Sequence, residues 1–344
     1  MVAAFAVTVL LLLAFSSSFG DALKLFFLGP FKNTYYFGNM LNASIALIFT
    51  GLAASLAFAS KNFNLGGEGQ VYLGAIATVA VCLSFPQGNP ILVCLLGVAA
   101  GMVTGGFLGW ISGFLKRRLA VDELISSFLV SSAVIYVGDF LITGPLQDPS
   151  SNFQTTLALP ESFRLARILP PSSLSTGCFF ALATVVIVWL ALGRTKFGFE
   201  LRLTGKNGEF ARYAGIDTGL YASAPMALSG ALNGLAGAML ILGTYFKAMK
   251  GFSAGIGWNG IAVALIAGNN PIAVVPAALF FAYLDAGAKA VMVGADVTSE
   301  IVSVIQAVIF FLVTAKALDG LFLRRRGRHG LPRAKRQDAA GGAA

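Results

Sequence analysis

Apolar runs of about 20 residues, long enough to cross a ~30 Å hydrocarbon layer as helix, recur along this chain and point to a helical membrane bundle. They fall at 2–19, 41–59, 70–85, 91–113, 122–143, 174–192, 221–243, 258–268, 271–293 and 300–318. Two of them, 70–85 and 258–268, are too short to cross without help from adjoining residues. Only 11% of the 344 residues are charged and 57% are hydrophobic, so the chain cannot clothe a soluble surface. The expected fold is all-α, a polytopic transmembrane bundle of about ten segments. Residues 1–320 make up the membrane domain, and 321–344 form a basic tail expected to be disordered.

Charge placement orients the spans. Fifteen of the 24 Lys and Arg lie at Lys116–Arg118, at Arg194–Arg212 and in the tail Arg324–Arg336. This is the bias of cytoplasmic loops. Alternating the spans puts all three clusters on one side, with both termini cytoplasmic and the Pro-rich segment 144–173 outside. The net charge of +9 is therefore read as topology and headgroup attraction, not as nucleic-acid binding. The N-terminal run has the apolar core of a signal peptide but no basic start, and is read as a first transmembrane helix, with a signal peptide as the alternative.

The chemistry of enzymes is missing. Cys82, Cys94 and Cys178 show no CxxC spacing, so neither a disulfide framework nor a metal site follows. The one histidine, His329, lies in the tail, and no GxxxxGK[ST] phosphate loop occurs. The chain is expected to be no enzyme and to need no cofactor.

Glycine punctuates the apolar runs. FNLGGEGQ (63–70) leads into one short span and GIGWNG (255–260) into the other, and each span runs on through an Asn-Pro into a longer helix, at Asn89-Pro90 and Asn270-Pro271. By the alternation they point in opposite directions, as an inverted-topology repeat with interrupted helices would have it. Gly97, Gly101, Gly105, Gly109 and Gly113 recur every fourth residue, echoed by Gly230, Gly234 and Ala238. Such a stripe lets another backbone approach, for packing within the subunit or, alternatively, at a dimer interface or conduit wall.

Asp285 and Lys289 lie one helical turn apart and are expected to neutralise each other as a structural pair. Asp122, Glu123 and Glu300 read as dipole partners at helix starts. The loop 193–219 is longer than a helix connection needs. In it Asn207 is placed to cap a short helix over Glu209–Tyr213, exposing Glu209 and Arg212 while Phe210 and Tyr213 face the body or a partner.

FNLGGEGQVYLGA (63–75), TKFGFELRLTGKNGEFARYAGI (195–216), LSGALNGLAGAML (228–240) and GIGWNGIAVALIAGNNP (255–271) together resemble the permease subunits of bacterial ABC importers. The branch is the one serving nucleosides, simple sugars and branched-chain amino acids, and the likeness is greatest to the longer nucleoside-type permease. The resemblance implies a cytoplasmic ABC ATPase, a second related permease in a heterodimer and an extracytoplasmic solute-binding lipoprotein, all in the bacterial inner membrane. It implies a coupling helix at Asn207–Ile216, where Asn207, Glu209, Phe210, Arg212 and Tyr213 would meet the ATPase. This chain has Gly208-Glu209-Phe210-Ala211 where the family often has Pro-Glu-Ala-Ala, so a matched ATPase is implied. Asn64, Glu68, Gln70, Asn233, Trp258 and Asn259, polar or aromatic groups beside the glycine breaks, are the expected lining of the solute pathway, with helix-packing hydrogen bonds as the alternative role. The expected solute is a nucleoside or similar base-containing molecule; riboflavin or a simple sugar is the alternative. An ion-coupled secondary transporter is the competing class, and it leaves the loop 193–219 unexplained.

Overall fold

A computed structural model describes residues 19–294 and 307–308. The expected spans 2–19 and 300–318 fall almost wholly outside the described residues, as do Glu300, His329 and the tail. Among the described residues the chain is helical, with three isolated β-bridges and no strand. The helices are α1 (Phe19–Leu28), α2 (Thr34–Ala59), α3 (Gly67–Ser84), α4 (Pro90–Leu119), α5 (Glu123–Thr143), α6 (Gly177–Arg194), α7 (Lys196–Lys206), α8 (Gly208–Tyr213), α9 (Leu220–Leu240), α10 (Ile256–Ile266) and α11 (Pro271–Gly294). A π turn, Ile241–Tyr245, extends α9. Seven of these, α2 to α6, α9 and α11, are long and apolar enough to cross a membrane, while α10 has only 11 residues.

Local chemistry sets the boundaries. Asn89 and Asn270 each accept from the amide two residues on, with proline at the first helical position, so both Asn-Pro pairs start helices. Asp122 caps α5 through the Leu124 amide at 2.7 Å, as expected. Glu123 stands in the first turn of α5, and its carboxylate also pairs with Lys116 Nζ at 2.7 Å. Lys116, Arg117 and Arg118 close α4 at its carbonyl end, where positive charge is favoured. The end of the bundle that carries them is called the basic end below. The other end is covered by residues 144–176, which bond to the chain leaving α9 through Thr156 N–H to Ala248 O, Leu159 to Phe246 and Leu165 to Leu242.

The centre is α2, α3 and α9. In α2, 83% of the apolar window is buried, against 28% in α4, α5 and α6, whose outer faces carry Leu95, Phe107, Phe140 and Ile187. The glycine stripe joins α4 to α9 inside this one chain. A Cβ at Gly230 or Gly234 would run into the carbonyl oxygens of Gly105 or Gly101, and one at Gly109 into that of Met226. Of the two uses read from the stripe, intrasubunit packing is the one these five positions serve.

Candidate functional site

Residues 60–66 link α2 to α3 without helical structure. Asn62 donates to the Tyr221 carbonyl near the start of α9, while Gln70 accepts from Asn233 further along it. At ~1.5 Å per residue these two contacts lie about 18 Å apart on α9, so α3 begins well inside the bundle. Unpaired amides at that depth are costly. They are met by a polar stripe on α5: Glu123 Oε1 accepts from Phe63 N–H at 3.4 Å, Ser127 Oγ from Leu65 at 3.0 Å and Ser131 Oγ from Gly69 at 2.8 Å. Groups four residues apart on α5 thus meet two amides of the non-helical link, two residues apart, and a third in the first turn of α3. Nothing in the reading of 122–143 anticipated it, although Glu123, Ser127 and Ser131 stand there at that spacing.

The two glycine motifs meet at the top of this segment. Glu68 is buried, and its Oε1 and Oε2 accept from the amides of Gly255 (2.9 Å) and Gly257 (2.8 Å). A side chain in the first turn of α3 therefore caps α10. Gly255 has φ +81°, which favours glycine, and a Cβ on Gly257 would strike the Glu68 amide nitrogen. From this junction α3 runs toward the loop-covered end, where Cys94 of α4, beside α3's last turns, donates to Phe163 O. The other helix, α10, runs toward the basic end, with Gly260 on Thr50 and Val263 on Gly51. Beside the junction Gln70 Oε1 accepts from both Asn64 and Asn233, at 2.9 and 2.8 Å, and Asn64 donates also to Ser229. Asn233 Oδ1 is buried without a partner among the described residues.

Thus Asn64, Glu68, Gln70 and Asn233 form one buried cluster. Asn259 lies apart, on the wall of a cavity of about 440 Å³ bounded by α2, the π turn, α10 and α11. Trp258 points the other way, half exposed with its ring 5.9 Å from that of Phe128. Asp285 and Lys289 do pair, at 2.6 Å, and they border the same cavity as Asn259. Asn39, Asn42 and Thr244, also on its wall, escaped the sequence reading because they stand away from the glycine breaks on which it centred. A second group reached only through the fold is Tyr72, whose hydroxyl donates to Asp139 (2.6 Å) and accepts from the Gly251 amide.

At the basic end, α7 packs against α2 through Gly205 and buries Leu201, while α8 stands on it. Asn207 accepts from the Phe210 amide at 3.0 Å, capping α8 as expected. Ala211 is its buried residue. Glu209 and Arg212 are exposed, and so are Phe210 (56%) and Tyr213 (93%), so neither aromatic faces the body of this chain.

Seven helices long and apolar enough to cross a membrane, with α3 and the short α10 both starting inside the bundle, make this a multi-pass membrane protein with interrupted segments. A family profile described as the permease component of branched-chain amino acid transport systems matches residues 36–314, and the chain belongs to that family. It is 35% identical over 291 residues to the guanosine ABC transporter permease protein NupP of Bacillus subtilis, covering 83% of each chain. It is 33% identical over 305 residues to the probable riboflavin import permease protein RfuC of Treponema pallidum, covering 86% of this chain and 78% of the relative. The glucose ABC transporter permease protein TsgB13 of Haloferax volcanii is 31% identical over 348 residues, covering 95% and 90%.

Proposed function

We propose that this chain is the membrane-spanning subunit of an ATP-driven importer, passing a nucleoside or similar base-containing solute inward. An ATPase is bound in trans at α8. The observation that carries this reading is the pair of exposed aromatics, Phe210 and Tyr213, on a six-residue capped helix seated on α7. Uncovered rings flanked by Glu209 and Arg212 suit a protein groove better than water. The positive-inside bias puts this surface and both termini in the cytoplasm and the 144–176 cover outside, in a bacterial inner membrane. There an extracytoplasmic binding protein would deliver the solute. A second, related permease completes the pathway, and the apolar outer faces of α4, α5 and α6 are available to it or to lipid.

The nucleoside assignment is supported by relatives named for guanosine and for nucleosides. Movement follows from coupling: closure of the ATPases displaces α8, and the bundle exchanges outward- and inward-open arrangements. The test is reconstitution of the full complex in proteoliposomes, with binding protein loaded with guanosine, riboflavin or glucose. Guanosine is expected to stimulate ATP hydrolysis and uptake. Stimulation by glucose or riboflavin alone would reassign the solute. Uptake without any ATPase would overturn the class.

A further inference from the structure

The cavity between α2, the π turn, α10 and α11 presents polar groups that the protein's own hydrogen bonds leave in part unused. Its volume of about 440 Å³ lies within the ~300–1,000 Å³ range of small-molecule sites. The side-chain amide of Asn259 borders it and makes no hydrogen bond to the protein among the described residues, and the same holds for the Tyr245 hydroxyl. Asn39 spends its carbonyl on the Ser173 amide and hydroxyl, both at 2.8 Å, which leaves its NH₂ for something else. Leu47 and Ile256 supply apolar wall. These half-buried polar groups can take water or a ligand as partner.

Charge narrows the ligand. Among the described residues the ions on the cavity wall are Asp285 and Lys289, and they pair with each other at 2.6 Å. A phosphate or carboxylate entering here would lose its hydration without gaining an unpaired cation. An uncharged, ring-bearing molecule with several hydroxyl or amide groups loses less and finds free donors and acceptors.

We infer that this cavity, inside a single subunit, is a binding site for the solute in transit, and that it takes neutral base-containing molecules and not their phosphorylated forms. This inference rests on the importer reading. It also gives the site a route to the rest of the bundle. Asn259 is one helical turn into α10, its backbone N–H bonded to the Gly255 carbonyl, and Gly255 is held by Glu68. A solute pulling on Asn259 therefore acts on the helix whose start is fixed at the junction with α3.

The experiment is guanosine uptake by the complete reconstituted complex, carried out as a concentration series for the native chain, Asn259→Leu and Tyr245→Phe. Loss of one solute hydrogen bond is expected to raise KM by roughly tenfold for Asn259→Leu. A rise of several-fold is expected for Tyr245→Phe, which removes only a hydroxyl that no protein group needs. Co-purification with the ATPase verifies folding of each variant. Equilibrium dialysis of the same complexes without binding protein is expected to show guanosine bound and guanosine 5′-monophosphate not bound. Native KM in both variants would overturn the site while leaving the importer reading intact. Failure of the native complex to take up any of guanosine, riboflavin or glucose would overturn the importer reading, and the site with it.

Discussion

Glu68 Oε2 lies 2.8 Å from the amide nitrogen of Gly257, so an acid 189 residues away in sequence terminates a helix of the opposite direction. Its other oxygen holds Gly255. Replacing the carboxylate by an amide puts an NH₂ against one of these N–H donors. Glu68→Gln is expected to lower stability by about 1–3 kcal/mol and to slow uptake. Thermal melting of the detergent-purified chain, beside uptake by the complex, checks this. A native melting temperature with native uptake would mean the cap is dispensable.

Gly257 makes the complementary case. A methyl there meets the backbone of Glu68, which cannot rotate away, so Gly257→Ala is expected to push α10 from α3 and to be worse than Glu68→Gln. Gly208→Ala is the control, because nothing lies within 4 Å of a Cβ at that position. The fraction of each variant that elutes as a monodisperse peak is the readout. Equal yields from Gly257→Ala and Gly208→Ala would contradict the packing account.

The seam between α4 and α9 admits no side chain. Gly105→Val or Gly234→Val is expected to abolish folding, since each new side chain points at a carbonyl of the facing helix. Gly193→Val, with nothing within 4 Å of a Cβ, is expected to be tolerated far better. Expression as a folded membrane protein, followed by fluorescence size-exclusion, separates the two outcomes.

On α5, Ser131→Ala strands the Gly69 amide, and Ser127→Ala does the same to Leu65. Each is expected to cost about 1–3 kcal/mol, whereas Ser132→Ala, at a half-buried serine that bonds only to its own helix, should cost little. Melting temperatures of the three variants test the ladder. If Ser132→Ala were as damaging as Ser131→Ala, the α5 stripe would have no special role.

At α8 the expected result is a separation of folding from assembly. Glu209→Arg and Tyr213→Ala alter exposed side chains and should leave the melting temperature near native while ATPase co-purification falls. Undiminished co-purification in both would remove α8 from the coupling role.

Signals local to one helix were readable from residues alone. Asn89-Pro90 and Asn270-Pro271 start helices because capping depends on neighbours only, and Asn207 caps α8 for the same reason. The four-residue glycine spacing announced a bare helical face. It could not say which helix lay on that face, because Gly105 and Gly230 are joined by tertiary packing. The same limit applied to the site. FNLGGEGQ and GIGWNG both stood out, yet the bond from Glu68 to Gly257 has no trace in either motif. Ser127 and Ser131 were invisible for a different reason. Serine is at home in apolar helices, and the stripe acquires meaning only when the non-helical link and the first turn of α3 are laid against it. Trp258 was grouped with Asn259 by adjacency, but neighbours on a helix face different ways, and the fold separates them.

The side-chain-free seam also has a mechanical corollary. Helices that touch through carbonyls and α-carbons have no rotamers to rearrange, so α4 cannot slip along α9 by small repacking steps. The two behave as one double-width lever. Because α9 begins just past α8, a tilt imposed at that surface would be passed to α4 along the seam, while α10 meets α3 at one short junction, the two hydrogen bonds of Glu68 and the Gly257 contact beside them.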